Sequence, residues 1–261
     1  MGVRIHFDAG DLRKVTIAQQ PAPLWDIERS LRALQVTNAG AAYAPWRAWA
    51  RMRLPRTAHQ LLTLVPPTGP CPDFLTPTGP SPDLESGLDQ VLSTPRPLLN
   101  RDLGQLAERR RLPPWAHDLG RGSLPALRSL GRALRDYHQA AIHPLQHRLA
   151  ADYETVTGGL TQTLSQRGLD ALLSNLHPSI RWNPPVLDVG HPLYDDDVHL
   201  NGWGLHLVPS FFTPTNAFCV NHTPPMTVTF PITTQRAGTS VRHRTTPLGL
   251  NLLRAQPRLP E

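Results

Sequence analysis

Lysine is almost missing from this 261-residue chain, since Lys14 is the only one, and cysteine occurs only at Cys71 and Cys219. The two cysteines are far apart and belong to no CxxC or CxC pattern, which argues against a disulfide framework or a thiolate metal site. No stretch approaches the roughly 20 apolar residues that span a bilayer, and the first residues lack the apolar core of a secretion signal. These absences predict a soluble protein of the reducing cytoplasm.

Arginine and proline are abundant instead. The chain has 26 basic and 20 acidic residues, a formal net charge of +6 and 29 prolines. An arginine bias together with many Ala, Gly and Leu residues is typical of a GC-rich genome, so the charge is only a weak argument for a polyanionic partner. The hydrophobic content of 39% and six tryptophans indicate a globular chain with one large domain, or one domain and a small appendage.

Up to about residue 177 the apolar residues recur mainly at helical spacing. An alternating strand over residues 3–7 comes first, and Asp8 is placed to cap a short helical turn. In residues 24–36 an apolar stripe is expected to face the core, with the charges on the other side. Further helices are predicted at residues 45–52, 58–65, from 84, at 98–110, 124–141, and from 144 with a restart at Gly168.

The proline-rich segment 66–83 interrupts this helical part. Phe74 and Leu75 lie in its middle, and a solvated linker has little reason to carry such a pair. The segment is therefore predicted to be an ordered loop that lies on the core.

From Ile180 the apolar pattern changes to short β-type runs at residues 180–182, 186–189, 198–200, 205–208 and 228–232. The pair Asn201-Gly202 between two of these runs predicts a two-residue hairpin turn. The predicted fold class is therefore α+β: a mainly helical N-terminal domain with a small antiparallel sheet.

Residues 233–253, TTQRAGTSVRHRTTPLGLNLL, contain a glycine turn between two strand-forming runs, and then a short helix with Thr246 as its N-cap. A hairpin followed by a helix is how a winged-helix domain ends. In that interpretation Arg236, Arg242 and Arg244 contact DNA phosphates or the minor groove. On spacing alone, an exposed edge strand kept soluble by arginines is the simpler interpretation of the segment.

Other clusters give weaker signals. The acidic segment 191–200, HPLYDDDVHL, has donors for a divalent ion, but an aspartate-rich turn is the simpler interpretation, and no metal site is predicted. His143 and His147 have i, i+4 spacing without a neighbouring glutamate, so they do not form an HExxH site. Asp136, Tyr137 and His138 are successive residues of one helix and therefore cannot converge, and Tyr137 is expected in the core.

No signature of a catalytic site is present: there is no nucleophile elbow, phosphate-binding loop or dinucleotide fingerprint after a strand. The sequence predicts neither an enzyme nor a cofactor. The tryptophans at positions 25, 46, 49, 182 and 203 are expected to be core aromatics, although several around one cavity would suit an apolar effector.

Several phrases occur in the order seen in one bacterial family. They are RIHF near the start, PDFLTP at 72–77, GLDQVLSTP at 87–95, ALRDYHQAAIHP at 133–144, RWNPPVLDV at 181–189 and GWGLHLVPSFF at 202–212. On these phrases the chain resembles ArsR-like transcriptional regulators that join an N-terminal domain of unknown function to a C-terminal winged helix. The resemblance implies a cytoplasmic homodimer whose DNA affinity is coupled to a ligand or partner state of the large domain.

The chain departs from that pattern before the hairpin. Only eight residues, 225–232, separate the sensor-like part from the hairpin, whereas a helix-turn-helix needs at least ~20 residues. The recognition helix is therefore predicted to be missing. In this interpretation residues 1–224 form a helical and sheet domain of unknown function that acts as the sensor, and residues 225–261 form a winged-helix remnant with its wing and C-terminal helix. Two hypotheses follow: a shortened DNA-binding regulator, or a ligand-binding or dimerisation module that no longer binds DNA specifically.

Overall fold

The chain folds into helices and two small sheets, which confirms the predicted α+β fold class. The computed structural model describes residues 2–36, 43–77, 83–190, 195–213, 218–220 and 224–232. Within these residues the chain divides into two compact units. One unit is discontinuous and contains residues 2–21 and 148–232, and the other is continuous and contains residues 22–147.

The secondary-structure elements follow one another as two sets. The helices are α1 (Ala9–Leu12), α2 (Pro23–Gln35), α3 (Ala44–Arg53), α4 (Leu61–Leu64), α5 (Leu84–Leu92), α6 (Arg96–Ala107), α7 (Pro114–Gly120), α8 (Leu124–Ala141) and α9 (Gln146–Ser174), with 3-10 turns at Arg56–Gln60, Asp73–Leu75 and His143–Leu145. The strands are β1 (Gly2–His6), β2 (Val15–Ile17), β3 (Ile180–Asn183), β4 (Val186–Gly190), β5 (Asp196–His199), β6 (Leu205–Ser210), β7 (Phe218–Val220) and β8 (Met226–Pro231). No helix in the described part of the chain is long and apolar enough to cross a membrane.

The discontinuous unit is built around two four-stranded sheets. The first sheet has the order β3-β4-β1-β5 and the second the order β2-β6-β8-β7. Alternate residues of the strands point into one core, where Ile5, Leu187, Leu207 and Val228 pack with Leu173 of α9. The C-terminal part of α9 thus covers the apolar faces that the strands cannot cover themselves.

Both sheets are mixed, so the predicted antiparallel sheet is wrong in this detail. β1 pairs antiparallel with β4 but parallel with β5, and β6 pairs parallel with both β2 and β8. The difference arises because β1 and β2, from the beginning of the chain, insert beside strands that come more than 180 residues later. Patterns along a sequence predict neighbouring strands far better than such distant partners.

The predicted turn at Asn201-Gly202 exists, but the predicted hairpin does not. Both residues have positive φ, 51° and 86°, as a tight turn of this kind requires. However, β5 before the turn belongs to the first sheet and β6 after it belongs to the second sheet. Between the turn and β6 the chain passes close to Lys14, and only glycine fits at position 204, because a Cβ there would lie 2.5 Å from Cβ of Lys14.

Local signals in the discontinuous unit are confirmed. Asp8 is the N-cap of α1, where its side chain accepts a hydrogen bond from the Asp11 backbone N–H at 2.7 Å. The restart at Gly168 corresponds to a break inside α9, where this residue has φ 81° and ψ 178°. Such a conformation favours glycine.

The continuous unit is helical, and α8 lies in its core. Its Tyr137 is fully buried, as predicted, and donates a hydrogen bond to Ser30 Oγ on α2 at 3.0 Å. Trp46 on α3 is also buried, and its indole N–H donates to the Ala141 carbonyl at 3.2 Å. Two buried aromatic residues with satisfied polar atoms thus join three helices.

The described part of the proline-rich segment, residues 66–77, is an ordered loop on the core, as predicted. Phe74 is 6% exposed and Leu75 is 3% exposed. The Phe74 backbone N–H donates to the buried Asp102 carboxylate at 3.0 Å, which fixes the loop to α6. Burial of the Phe74 and Leu75 side chains therefore anchors the loop. The Asp102 carboxylate provides the hydrogen-bond acceptor for the Phe74 backbone N–H.

The predicted boundary after residue 224 falls close to β8. All six residues of β8 are buried, and the strand lies between β6 and β7 in the second sheet. The beginning of the predicted remnant therefore contributes to the sheet of the discontinuous unit. The rest of it, residues 233–261, lies outside the described residues.

Candidate functional site

The predicted DNA contacts Arg236, Arg242 and Arg244 lie outside the described residues, as do the predicted hairpin and C-terminal helix. The structure describes the chain up to Ile232, the residue that precedes the predicted hairpin in the sequence. The Ile232 backbone N–H donates to the Ser210 carbonyl at 3.0 Å, so the pairing of β8 with β6 continues to the last described residue. The predicted hairpin thus follows directly after a buried strand.

All regular secondary structure in the described residues between 205 and 232 is β-strand. The gaps in this stretch, 214–217 and 221–223, are each shorter than one helix of a helix-turn-helix. The residues that the structure describes in this stretch, 205–213, 218–220 and 224–232, therefore contain no helix.

The second sheet has a polar face opposite the shared core. His206 and Ser210 of β6 and Thr227 and Thr229 of β8 alternate with the core residues of these strands. The hydroxyls of Ser210, Thr229 and the nearby Thr213 are buried without a hydrogen-bond partner among the described residues. Burial lowers the pKa of His206 on the same face. Buried unpaired hydroxyls are rare, so this face is suited to a ligand that supplies their partners.

The acidic segment is partly described, from Asp195 onward, and two of its aspartates contact polar side chains of β1. Arg4 donates to Asp195 at 2.9 Å and to Asp197 at 2.7 Å, while His6 Nε2 lies 2.7 Å from Asp197 Oδ1. The hydrogen bonds from Arg4 and then from His6 hold the pKa of Asp197 well below its usual range. Within the described residues these carboxylates stabilise strand pairing, and no group with the geometry of a metal site is found there.

A buried charge cluster on α2 differs from the expectation that the charges of this helix lie opposite the core. Glu28 is 2% and Arg29 5% exposed, and the Glu28 carboxylate contacts both Arg29 and Arg32. Burial alone raises the pKa of Glu28, but the charges of Arg29 and Arg32 outweigh it and keep this pKa below its usual range. The sequence signal for this contact is the i, i+4 spacing of Glu28 and Arg32, which places the two side chains next to each other on a helix.

The charge cluster also holds the proline-rich loop. Arg32 donates to the carbonyls of Pro66 at 3.2 Å and Gly69 at 2.8 Å. Cys71 donates from its thiol to Glu28 at 3.4 Å, and burial together with that carboxylate raises the pKa of the thiol to about 12. The thiol therefore remains protonated and is a poor nucleophile or metal ligand.

The helical acid-base triplet does not form a site, as predicted. The Asp136 carboxylate accepts a hydrogen bond from Thr57 Oγ1 at 2.5 Å, whereas Tyr137 bonds to Ser30 in the core. His138 lies edge-on to His143, with ring centroids 6.2 Å apart. These side chains therefore have separate partners and do not converge on a reacting atom.

The tryptophans divide into three groups by exposure. Trp25 and Trp46 are core residues, as predicted, and Trp49 and Trp182 are only partly buried. Trp203 is 38% exposed, so the prediction that it is a core aromatic is wrong. Trp203 follows the turn at Asn201-Gly202 and lies between β5 and β6, so it belongs to neither strand.

Comparison with known proteins gave no match: no protein-family model, no curated protein and no solved structure is similar to the chain. The resemblance to ArsR-like regulators therefore remains a prediction from the ordered sequence phrases.

Proposed function

We propose that the chain is a shortened ArsR-like transcriptional regulator of the cytoplasm, which contacts DNA chiefly through Arg236, Arg242 and Arg244. The observation that carries this proposal is β8, which occupies the positions immediately before the predicted hairpin. A helix-turn-helix reads bases in the major groove, whereas a wing mainly contacts phosphates. A chain with the wing but without the recognition helix binds DNA weakly and without sequence preference.

A second candidate function is a ligand-binding module without specific DNA binding. It is favoured by the hydroxyls of Ser210 and Thr229 on the polar face of the second sheet and by that of the nearby Thr213, which have no hydrogen-bond partner among the described residues. A small effector with several hydrogen-bonding groups would satisfy these oxygens, and its binding would stabilise the discontinuous unit.

The first prediction concerns DNA affinity. We expect weak binding, with a Kd of ~10⁻⁴ to 10⁻⁶ M, because a few arginines neutralise only a few phosphates. The affinity should fall as salt is added, because each phosphate contact releases condensed counterions. Replacing Arg242 and Arg244 by alanine should weaken binding equally on a promoter fragment and on random DNA, since phosphate contacts carry no base information. Fluorescence anisotropy over a salt series measures both effects.

The matched control for this experiment replaces two arginines outside the predicted hairpin, Arg109 and Arg111, which are exposed in the continuous unit. It removes the same charge and should weaken DNA binding less than the hairpin variant. Tight, sequence-selective binding at physiological salt would contradict the proposal. Absence of DNA binding by the unmodified chain would favour the ligand-binding module.

The second prediction concerns assembly. ArsR-like proteins form twofold dimers. We expect a homodimer of this chain as well, because regulated binding to two DNA half-sites requires two copies. Light scattering at tens of micromolar protein should give about twice the 28.9 kDa mass of the chain. A monomer at that concentration would argue against two-half-site binding.

A further inference from the structure

The continuous unit carries a surface groove of about 420 Å³ between the 3-10 turn Arg56–Gln60 and helix α8. The side chains that line it are mainly polar. They include Arg56, Thr57 and Gln60 from the turn, and Arg128, Ser129 and Arg132 from α8. The groove therefore gathers three guanidinium groups from two elements that are about 70 residues apart in sequence.

The three arginines of the groove, Arg56, Arg128 and Arg132, form no ion pair with a carboxylate in the described part of the chain. Other arginines of the same unit do have such partners. Their ion pairs are Arg135–Glu85 at 2.6 Å, Arg121–Asp118 at 2.7 Å and Arg101–Asp102 at 2.8 Å. No carboxylate of the described residues thus lies within ion-pair distance of these three guanidinium groups.

Hydrogen bonds across the groove fix its two walls. Gln60 Nε2 donates to the Ser129 carbonyl at 3.0 Å and lies 3.2 Å from its hydroxyl. Thr57 donates to the Asp136 carboxylate at 2.5 Å, which links the turn to α8 one turn beyond Arg132 and leaves one negative charge at the border of the groove. The arginines therefore extend from a backbone that is held in place before any ligand arrives.

We propose that this groove binds a small anion that carries phosphate groups. A guanidinium group presents a planar set of donors that matches phosphate oxygens, and three such groups suit a multiply charged anion better than a single carboxylate. The volume lies within the range of about 300–1,000 Å³ that is typical of small-molecule sites. Nucleic acid fits less well, because its phosphates run along an extended backbone rather than into one small concavity.

The anion site lies in the continuous unit and does not depend on the predicted hairpin, so it goes beyond the proposed regulator function. Pyrophosphate is a suitable test ligand, because it has two phosphate groups and no base or sugar. Isothermal titration calorimetry of the full chain in chloride buffer should show saturable binding. The double variant Arg128→Gln and Arg132→Gln should bind at least about tenfold more weakly, because it loses two charge-assisted contacts.

The matched control is the double variant Arg109→Gln and Arg111→Gln, which changes the net charge equally at exposed positions outside the groove. It should keep the pyrophosphate affinity of the unmodified chain. An equal loss in both double variants would overturn the proposal, because the affinity would then come from the general positive field. Failure of the unmodified chain to bind pyrophosphate would overturn it as well.

DNA binding by the same variants distinguishes a small phosphate-bearing anion from the phosphates of a nucleic-acid backbone. The groove variant should lose no more DNA affinity than the control variant. A larger loss would mean that the groove binds the phosphates of a nucleic-acid backbone, and the small-anion proposal would be wrong. If the chain binds no DNA at all, the regulator proposal fails while the calorimetric result for the groove still stands.

Discussion

Replacing Glu28 by alanine is expected to lower the free energy of unfolding by about 3–5 kcal/mol, because removing one partner of a buried ion pair leaves the other charge buried without it. The charges concerned are those of Arg29 and Arg32, and Arg32 also holds the carbonyls of the proline-rich loop. Urea unfolding followed by circular dichroism measures the difference between the two proteins.

The control for this prediction is Glu85→Ala, which removes a glutamate that also pairs with an arginine. The Glu85 side chain is 62% exposed, and that of its partner Arg135 is 45% exposed. Exposed pairs of this kind contribute about 0–1 kcal/mol, so the loss should be small. Similar losses in the two variants would show that Glu28 does not form a buried ion pair in solution.

Replacing Phe230 by alanine should cost about 3–5 kcal/mol of unfolding free energy, because the ring is removed from a packed core. Phe230 lies in β8, is 2% exposed and packs in the core that the two sheets share with α9. The loss would demonstrate that residues 226–231 stabilise the discontinuous unit. It would not be expected of a loosely attached winged-helix remnant.

Phe230→Leu is the matched variant at the same position. It keeps much of the buried apolar volume and should therefore lose clearly less stability than Phe230→Ala. A near-neutral effect of alanine would mean that β8 does not belong to this core. Both variants can be compared by denaturant unfolding, provided that the slope of the transition stays the same.

The helices of the continuous unit could be predicted because their signals are local. Residues 124–141 were expected to be one helix and form α8, and residues 24–36 correspond closely to α2. Apolar spacing and a proline in the first turn are sufficient for such elements. The short helix α7 was missed, since seven residues are too few for a clear periodic pattern.

The arrangement of the strands could not be predicted in the same way. Four of the five predicted C-terminal runs correspond to β3, β4, β6 and β8, and the fifth overlaps β5. Their partners include β1 and β2 from the other end of the chain. Short alternation predicts that a strand exists, but the choice among distant partners depends on how the whole unit packs.

The polar sites depended on tertiary contacts that a helical pattern does not contain. Glu28 is buried because the proline-rich loop packs over its side of α2, and the sequence pattern placed that side opposite the core. The groove combines Arg56 with Arg128 and Arg132, which are adjacent only in the folded unit. The sequence shows that the chain is rich in arginine, but it does not show which arginines come together in the folded unit.

The discontinuous unit has a consequence for the order in which a ribosome produces folded protein. Its strands β1 and β2, at residues 2–17, are synthesised before the continuous unit, but their partners begin only at residue 186. The continuous unit is finished much earlier and can acquire its structure while translation continues. The backbone groups of β1 and β2 therefore stay unpaired until β4 and β6 have been synthesised. The second sheet gains β8 only after residue 231 has left the exit tunnel of the ribosome.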